Sequence, residues 1–272
     1  IHLIRRFIIL FILGWIVQGR LLDFDINRFH IFSNTLQAIA VGYLVSSLAF
    51  IHLKQKGKYI LFGSCLVLYT LLLTLPVIPG VGRSELLPDK NFAIYIDRLV
   101  FGRFDDGLQY TWLVTGLGFI ATTMSGMFAG ELIKSGLPGK KITRYLVLIG
   151  LAGIILGILL GIWHPIVKKI WSSSFVLLTS GICFLLLALF YWIMDVKKIT
   201  RWAYPLRVIG MNAITAYVLS HVISFPKIAD QVLYGLQQFS GNWYDLITTT
   251  GGFIILYSLL WYLYSNKTYI KI

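Results

Sequence analysis

From Lys168 to His221 the chain reads KKIWSSSFVLLTSGICFLLLALFYWIMDVKKITRWAYPLRVIGMNAITAYVLSH. A polar opening, Lys168, Lys169, Trp171 and Ser172–Ser174, leads into an apolar run from Phe175 to Met194. Asp195, Lys197, Lys198 and Arg201 close that run, and a second membrane-length segment follows from Ala203 to Phe225. That second segment carries Asn212, Thr215, Tyr217, Ser220 and His221. Lipid offers no hydrogen bonds, so polar side chains in a spanning helix face other helices, a cavity or water. These two segments therefore set the fold class, an all-α polytopic membrane protein, and mark where function is to be sought.

Composition agrees. The 272 residues are 57% hydrophobic and 13% charged, with a mean hydropathy of +0.79. Soluble domains carry about 25% charged residues. The formal charge of +13 fits membrane topology rather than nucleic acid, which is excluded as a partner. Cys65 and Cys183 lie inside apolar runs, which argues against a disulfide framework or a zinc site and for small core residues; no metal is expected. The chain opens at Ile1 almost directly into an apolar run, with no cleavage-site pattern. It therefore reads as part of a longer protein.

Against the ~20 residues needed to span hydrocarbon, about eight segments qualify: roughly 4–19, 36–53, 59–78, 110–133, 143–163, 174–194, 203–225 and 246–264. Alternating sides sorts the charges. One side collects fifteen Lys/Arg, including Lys54, Lys56, Lys58, Lys134, Lys140, Lys141 and Arg144, against Glu131 and Asp195. The other holds nine cations and nine acids. The Lys/Arg excess marks the first side, with both ends of the segment, as cytoplasmic. The outer connections are the longer ones. Residues 79–109 include NFAIYIDRLVFG (Asn91–Gly102), expected as a short interfacial helix, and 227–243 has apolar residues at helical spacing. No low-complexity segment or internal repeat stands out, so residues 1–272 read as one membrane domain.

Most chemistry-capable residues fall toward the outer side: Arg28, His30 and Gln37; Asp105 and Asp106; His164, Lys168, Lys169, Trp171 and the serines; and His221. Each has a structural reading beside the functional one. Ser172–Ser174 suit a helix N-cap, Lys168 and Lys169 suit snorkelling, Trp171 suits the interfacial belt, and the two aspartates suit a solvated helix start. Asn212 and His221 are nine residues apart, about 180° around a continuous helix, so they cannot share a face. Asn212 suits interhelical bonding and His221 a bond to a backbone carbonyl. Soluble catalytic patterns such as GxSxG, the P-loop and HExxH do not occur.

Several stretches jointly resemble the heparan-α-glucosaminide N-acetyltransferase family of transmembrane acyltransferases, which has bacterial members. They are LQAIAVGYL (Leu36–Leu44), IPGVG followed by NFAIYIDRLVFG, MSGMFAGELI, KKIWSSSFVLLTSG, the Asp195–Val196 pair and PLRVIGMNAITAYVLSH. The resemblance implies transfer of an acetyl group from cytosolic acetyl-CoA, as co-substrate, to an amino sugar or related glycan across a bacterial cytoplasmic (inner) membrane. It implies a catalytic His on spans preceding Ile1, with His221 as a supporting candidate. It also implies an acyl-CoA or acceptor pocket involving Trp171, Ser172, Ser174, Asn212, His221, Lys168, Lys169 and Gln37. Asp97 and Arg98 match an outer loop motif in which a mutual ion pair is expected, with Asp105 and Asp106 nearby. Two departures stand out: Ala38 replaces the family's usual Arg, and its DPEG is reduced to Asp105–Asp106–Gly107. O-acylation of an outward-facing glycan or lipid, and transport without covalent chemistry, are the competing readings. A homodimer is compatible with all of them.

Overall fold

The computed structural model describes residues 2–19, 29–80, 82–105, 107 and 110–269. The described residues are all-α apart from one two-residue antiparallel ladder, β1 (Val77–Ile78) with β2 (Gly82–Arg83), which tightens the Pro79–Gly80 turn. Six helical stretches among the described residues are long and apolar enough to cross a membrane. The protein is thus a polytopic helical membrane protein. Its contacts gather into two compact units, one holding α1 (His2–Gln18) up to Trp15 and the described residues from 29 to Ile199, the other holding residues 16–19 and those from Thr200 onward.

In the first unit the long helices are α2 (Thr35–His52), α3 (Gln55–Thr74), α5 (Gly116–Ile133), α6 (Gly139–Gly161) and α7 (Ser173–Tyr191). The α2 start is set by Asn34, whose side chain accepts the Leu36 amide at 3.0 Å, while the Gln37 side chain accepts the Asn34 amide at 3.3 Å. This is a reciprocal capping box. Helices α6 and α7 meet through glycine. A Cβ built on Gly157 would lie 2.6 Å from the Leu178 amide, and one on Gly181 would lie 2.6 Å from the Gly150 carbonyl. Only bare backbone permits so close an approach. Ile142, Leu146, Phe184 and Ala188 fill the space beside that seam.

Two expectations are corrected here. The segment expected as a helix over 110–133 becomes helical only at Gly116, because residues 110–115 form the turn that Asp97 holds from α4 (Phe92–Phe101). The segment over 203–225 is interrupted. It divides into α8 (Tyr204–Met211) and α9 (Ala213–Val222), with Asn212 between them at φ −121°, ψ 28°. The half-turn relation reckoned between Asn212 and His221 therefore does not apply. Asn212 follows Gly210 and carries a side chain that competes for backbone groups, which suits a break.

The second unit continues with α10 (Phe225–Leu233), α11 (Gln237–Ser240) and α12 (Tyr244–Ser265). The apolar spacing read over 227–243 is thus helical, in pieces. Tyr244 donates to Asp230 at 2.6 Å, which ties the start of α12 to α10.

Candidate functional site

Asp97 anchors the site. It is fully buried, and its carboxylate accepts the backbone amides of Trp112 at 2.6 Å and Leu113 at 2.9 Å. A buried carboxylate must be met by donors, and here the turn before α5 supplies them. Arg98 on the same helix is exposed. Beside the ion pair expected with Arg98, backbone amides fifteen and sixteen residues downstream thus tie Asp97 to the turn. Asn91 caps α4 by accepting the Ile94 amide at 2.9 Å.

Directly behind that turn runs a chain of hydroxyls. Tyr69 on α3 donates its only hydroxyl hydrogen to the Ile170 carbonyl. Its oxygen must then accept from Thr115, 2.9 Å away. The hydrogen of Thr115 is spent in that bond, so Thr111 donates to Thr115 at 2.5 Å. Each hydroxyl owns one hydrogen, so the direction is fixed from end to end. Thr111 is left with lone pairs alone.

Thr111 lines a cavity of about 290 Å³ together with Asn34, Ala38, Trp112, Phe119, Lys168, Lys169 and Trp171, among others. Trp171 forms one wall. Its backbone sits at φ 49°, a left-handed conformation rarely taken by a bulky residue. Its indole donates to Thr122 at 3.0 Å, and its ring meets Phe119 and Phe175 edge-on at 5.5 and 5.1 Å. Strain of this kind persists only where surroundings over-determine it. Lys168 and Lys169 are exposed at the rim. The cavity thus has two lysines at its mouth and, in its wall, a nearly buried Thr111 whose hydroxyl has no hydrogen left to donate.

Ser172, Ser173 and Ser174 are fully buried and spent on structure. Ser172 caps α7 by accepting the Phe175 amide at 3.4 Å and donates to the Pro165 carbonyl at 2.9 Å. Ser174 reaches the same carbonyl at 3.1 Å, and Ser173 donates to the Leu66 carbonyl at 2.9 Å. They lie beneath Trp171 rather than on the cavity wall. Gln37 is also fully buried, with its amide shared between the Ser33 amide and the Ile31 carbonyl. His221, in the second unit, is exposed, donates Nδ1–H to the Tyr217 carbonyl at 2.8 Å and lies over the Tyr217 ring. Asn212, in the same unit, is buried with Oδ1 unpartnered, as is the Thr215 hydroxyl. Asp106 and Arg28 lie outside the described residues.

Three further groups stand apart. His30 Nδ1 and Asp105 Oδ1 are buried without hydrogen-bond partners, on two segments joined by the Ile31 amide donating to the Phe104 carbonyl at 3.3 Å. His164 is 1% exposed with both ring nitrogens unpartnered. Burial pushes its imidazole below the ordinary value of 6.5. Sequence reading missed Tyr69, Thr111 and Thr115, whose alignment depends on contacts between distant residues. Among the described residues, no three His, Cys, Asp or Glu side chains gather as a metal site. No protein-family model matches the chain, and no curated protein matches it.

Proposed function

We propose that this chain belongs to a membrane-embedded acetyltransferase that passes an acetyl group from cytosolic acetyl-CoA to an amino sugar or related glycan on the outer side of a bacterial inner membrane. In this reading it contributes about eight spans, with both ends of the segment cytoplasmic, and the cavity beside Trp171 holds the acceptor. The reaction forms an amide: the sugar amine attacks the thioester carbonyl, the C–S bond breaks, CoA leaves as its thiol, and a base takes the amine proton. The motif resemblance supports acetyl transfer. What supports the placement is Thr111, nearly buried at the cavity's edge with its hydrogen committed to Thr115, so that a ligand reaching its oxygen would meet an acceptor for N–H or O–H. An attacking amine or hydroxyl needs its lone pair directed at the carbonyl and its hydrogen directed away, and an acceptor-only oxygen in the wall imposes that orientation. Lys168 and Lys169 at the rim suit anionic or polar substituents on the same ligand.

Thr111 accepts O–H as readily as N–H, so an O-acyltransferase acting on an outward-facing glycan or lipid is the alternative. The test is transfer of radiolabel from acetyl-CoA to glucosamine in membranes carrying the natural protein, with product analysis to separate amide from ester. Amide product supports the first reading and ester product the second. Absence of label on any amino sugar, glycan or lipid, together with no binding of acetyl-CoA by calorimetry, contradicts both and leaves a carrier.

A further inference from the structure

The first unit holds a second cavity, with no lining residue in common with the first. It has a volume of about 720 Å³ and lies between α3 and α6, with α5 and α7 as its floor. Tyr59, Tyr145, Ile149 and Leu156 line it and are exposed, so the cavity is a cleft open along its side. On α6 it runs from Tyr145 to Leu156, about 16 Å at 1.5 Å per residue. That is the depth of one leaflet, half of the ~30 Å hydrocarbon core. The floor hydroxyls, Ser125 and Ser180, bond each other at 3.0 Å and ask nothing of an occupant. Gln55 in the wall is spent on Tyr59 and Glu131, and most of the remaining lining is apolar, which suits a hydrocarbon chain.

One end of the cleft is strongly basic. Lys54, Lys56 and Lys58 open α3, Lys134 follows α5, and Lys140, Lys141 and Arg144 fall in the first turns of α6. Against these seven cations stands Glu131, which is ion-paired to Lys58. Neither α3 nor α6 has a side-chain cap at its start, so both present uncapped amides and a positive dipole end there. Basic surfaces beside clefts between membrane helices are suited to anionic headgroups.

We propose that this cleft is a binding site for an anionic phospholipid, with one acyl chain lying between α3 and α6 and the phosphodiester among Lys140, Lys141 and Arg144. A CoA phosphate shares the anionic chemistry, but its amide-bearing arm suits a mostly apolar lining less well than an acyl chain does. The site is independent of the proposed acetyl transfer. Native mass spectrometry of the full protein in mild detergent tests it, with phosphatidylglycerol, phosphatidylcholine of identical chains, and CoA as probes. Phosphatidylglycerol is expected to be retained at concentrations about tenfold lower than phosphatidylcholine. Ala152→Phe, at an exposed lining position, abolishes retention of both lipids with an unchanged thermal midpoint, and Leu156→Trp serves the same purpose should Ala152→Phe not fold. The triple change K140Q/K141Q/R144Q removes the tenfold preference alone. Equal retention of the two lipids, retention undiminished in a folded filled variant, or displacement of phosphatidylglycerol by CoA overturns the proposal.

Discussion

At its first turn α5 is held by a buried carboxylate and a chain of three hydroxyls, while its last turn is held by a Lys58–Glu131 ion pair beside an apolar cleft. The cavity at the first end is small, and its polar wall is fixed in direction; the cleft at the other is more than twice as large and its floor is self-satisfied. Directed hydrogen bonds choose one orientation of one ligand, whereas an apolar wall accepts any chain of suitable length. The contrast separates a cavity whose wall is directional from a cleft whose wall is not.

The contrast predicts unequal costs. Asp97→Ala leaves the buried Trp112 amide and the partly buried Leu113 amide without this acceptor and should cost about 3 kcal/mol, read as a large fall in the thermal midpoint in detergent. A midpoint shift no greater than that of a change at the Lys58 end would erase the distinction. Thr111→Val keeps the side-chain shape but removes the acceptor; it should lower acetyl transfer about tenfold, a loss of ~1.4 kcal/mol in transition-state binding. Thr111→Ser should retain the rate, because the serine hydroxyl can still donate to Thr115 and accept from the ligand.

His164 sharpens the comparison through pH. Its folded-state pKa is depressed by burial, so the unfolded chain binds the proton more readily. Its contribution is fully present above the ordinary value of 6.5 and is lost as pH falls below that value. Thermal midpoints measured at pH 7.5 and 5.5 should differ in the natural protein and converge in His164→Leu. Glu131→Gln at the far end should have the smallest effect. The partly exposed pair is worth about 1 kcal/mol or less, and that difference should shrink in high salt.

Much of this architecture can be read from the sequence, for definite reasons. The apolar runs that become α2, α3, α6 and α7 are long enough that hydrophobicity alone defines them, and Asn91–Gly102 carries its own cap and an amphipathic face. Ser172–Ser174 reads as a cap because the serines stand directly before an apolar run. Asp97 does not, since its partners lie fifteen and sixteen residues away and its neighbour Arg98 is the more obvious local choice. The break at Asn212 follows from backbone geometry that an apolar count does not register. Thr111 and Thr115 stand four residues apart, but Tyr69 joins them from 46 residues away, so only the packed structure aligns the three. Of the cavity residues, Lys168, Lys169 and Trp171 were visible beforehand because charge and aromaticity stand out in an apolar chain.

The most direct measurement is acetyl transfer to an amino sugar in membranes bearing the natural protein, Thr111→Val or Thr111→Ser at equal abundance. The account predicts labelled amide from the natural protein and the serine variant, and about a tenth as much from the valine variant. Equal label from all three would remove Thr111 from the acceptor site, and no label from any of them would contradict the acetyltransferase itself.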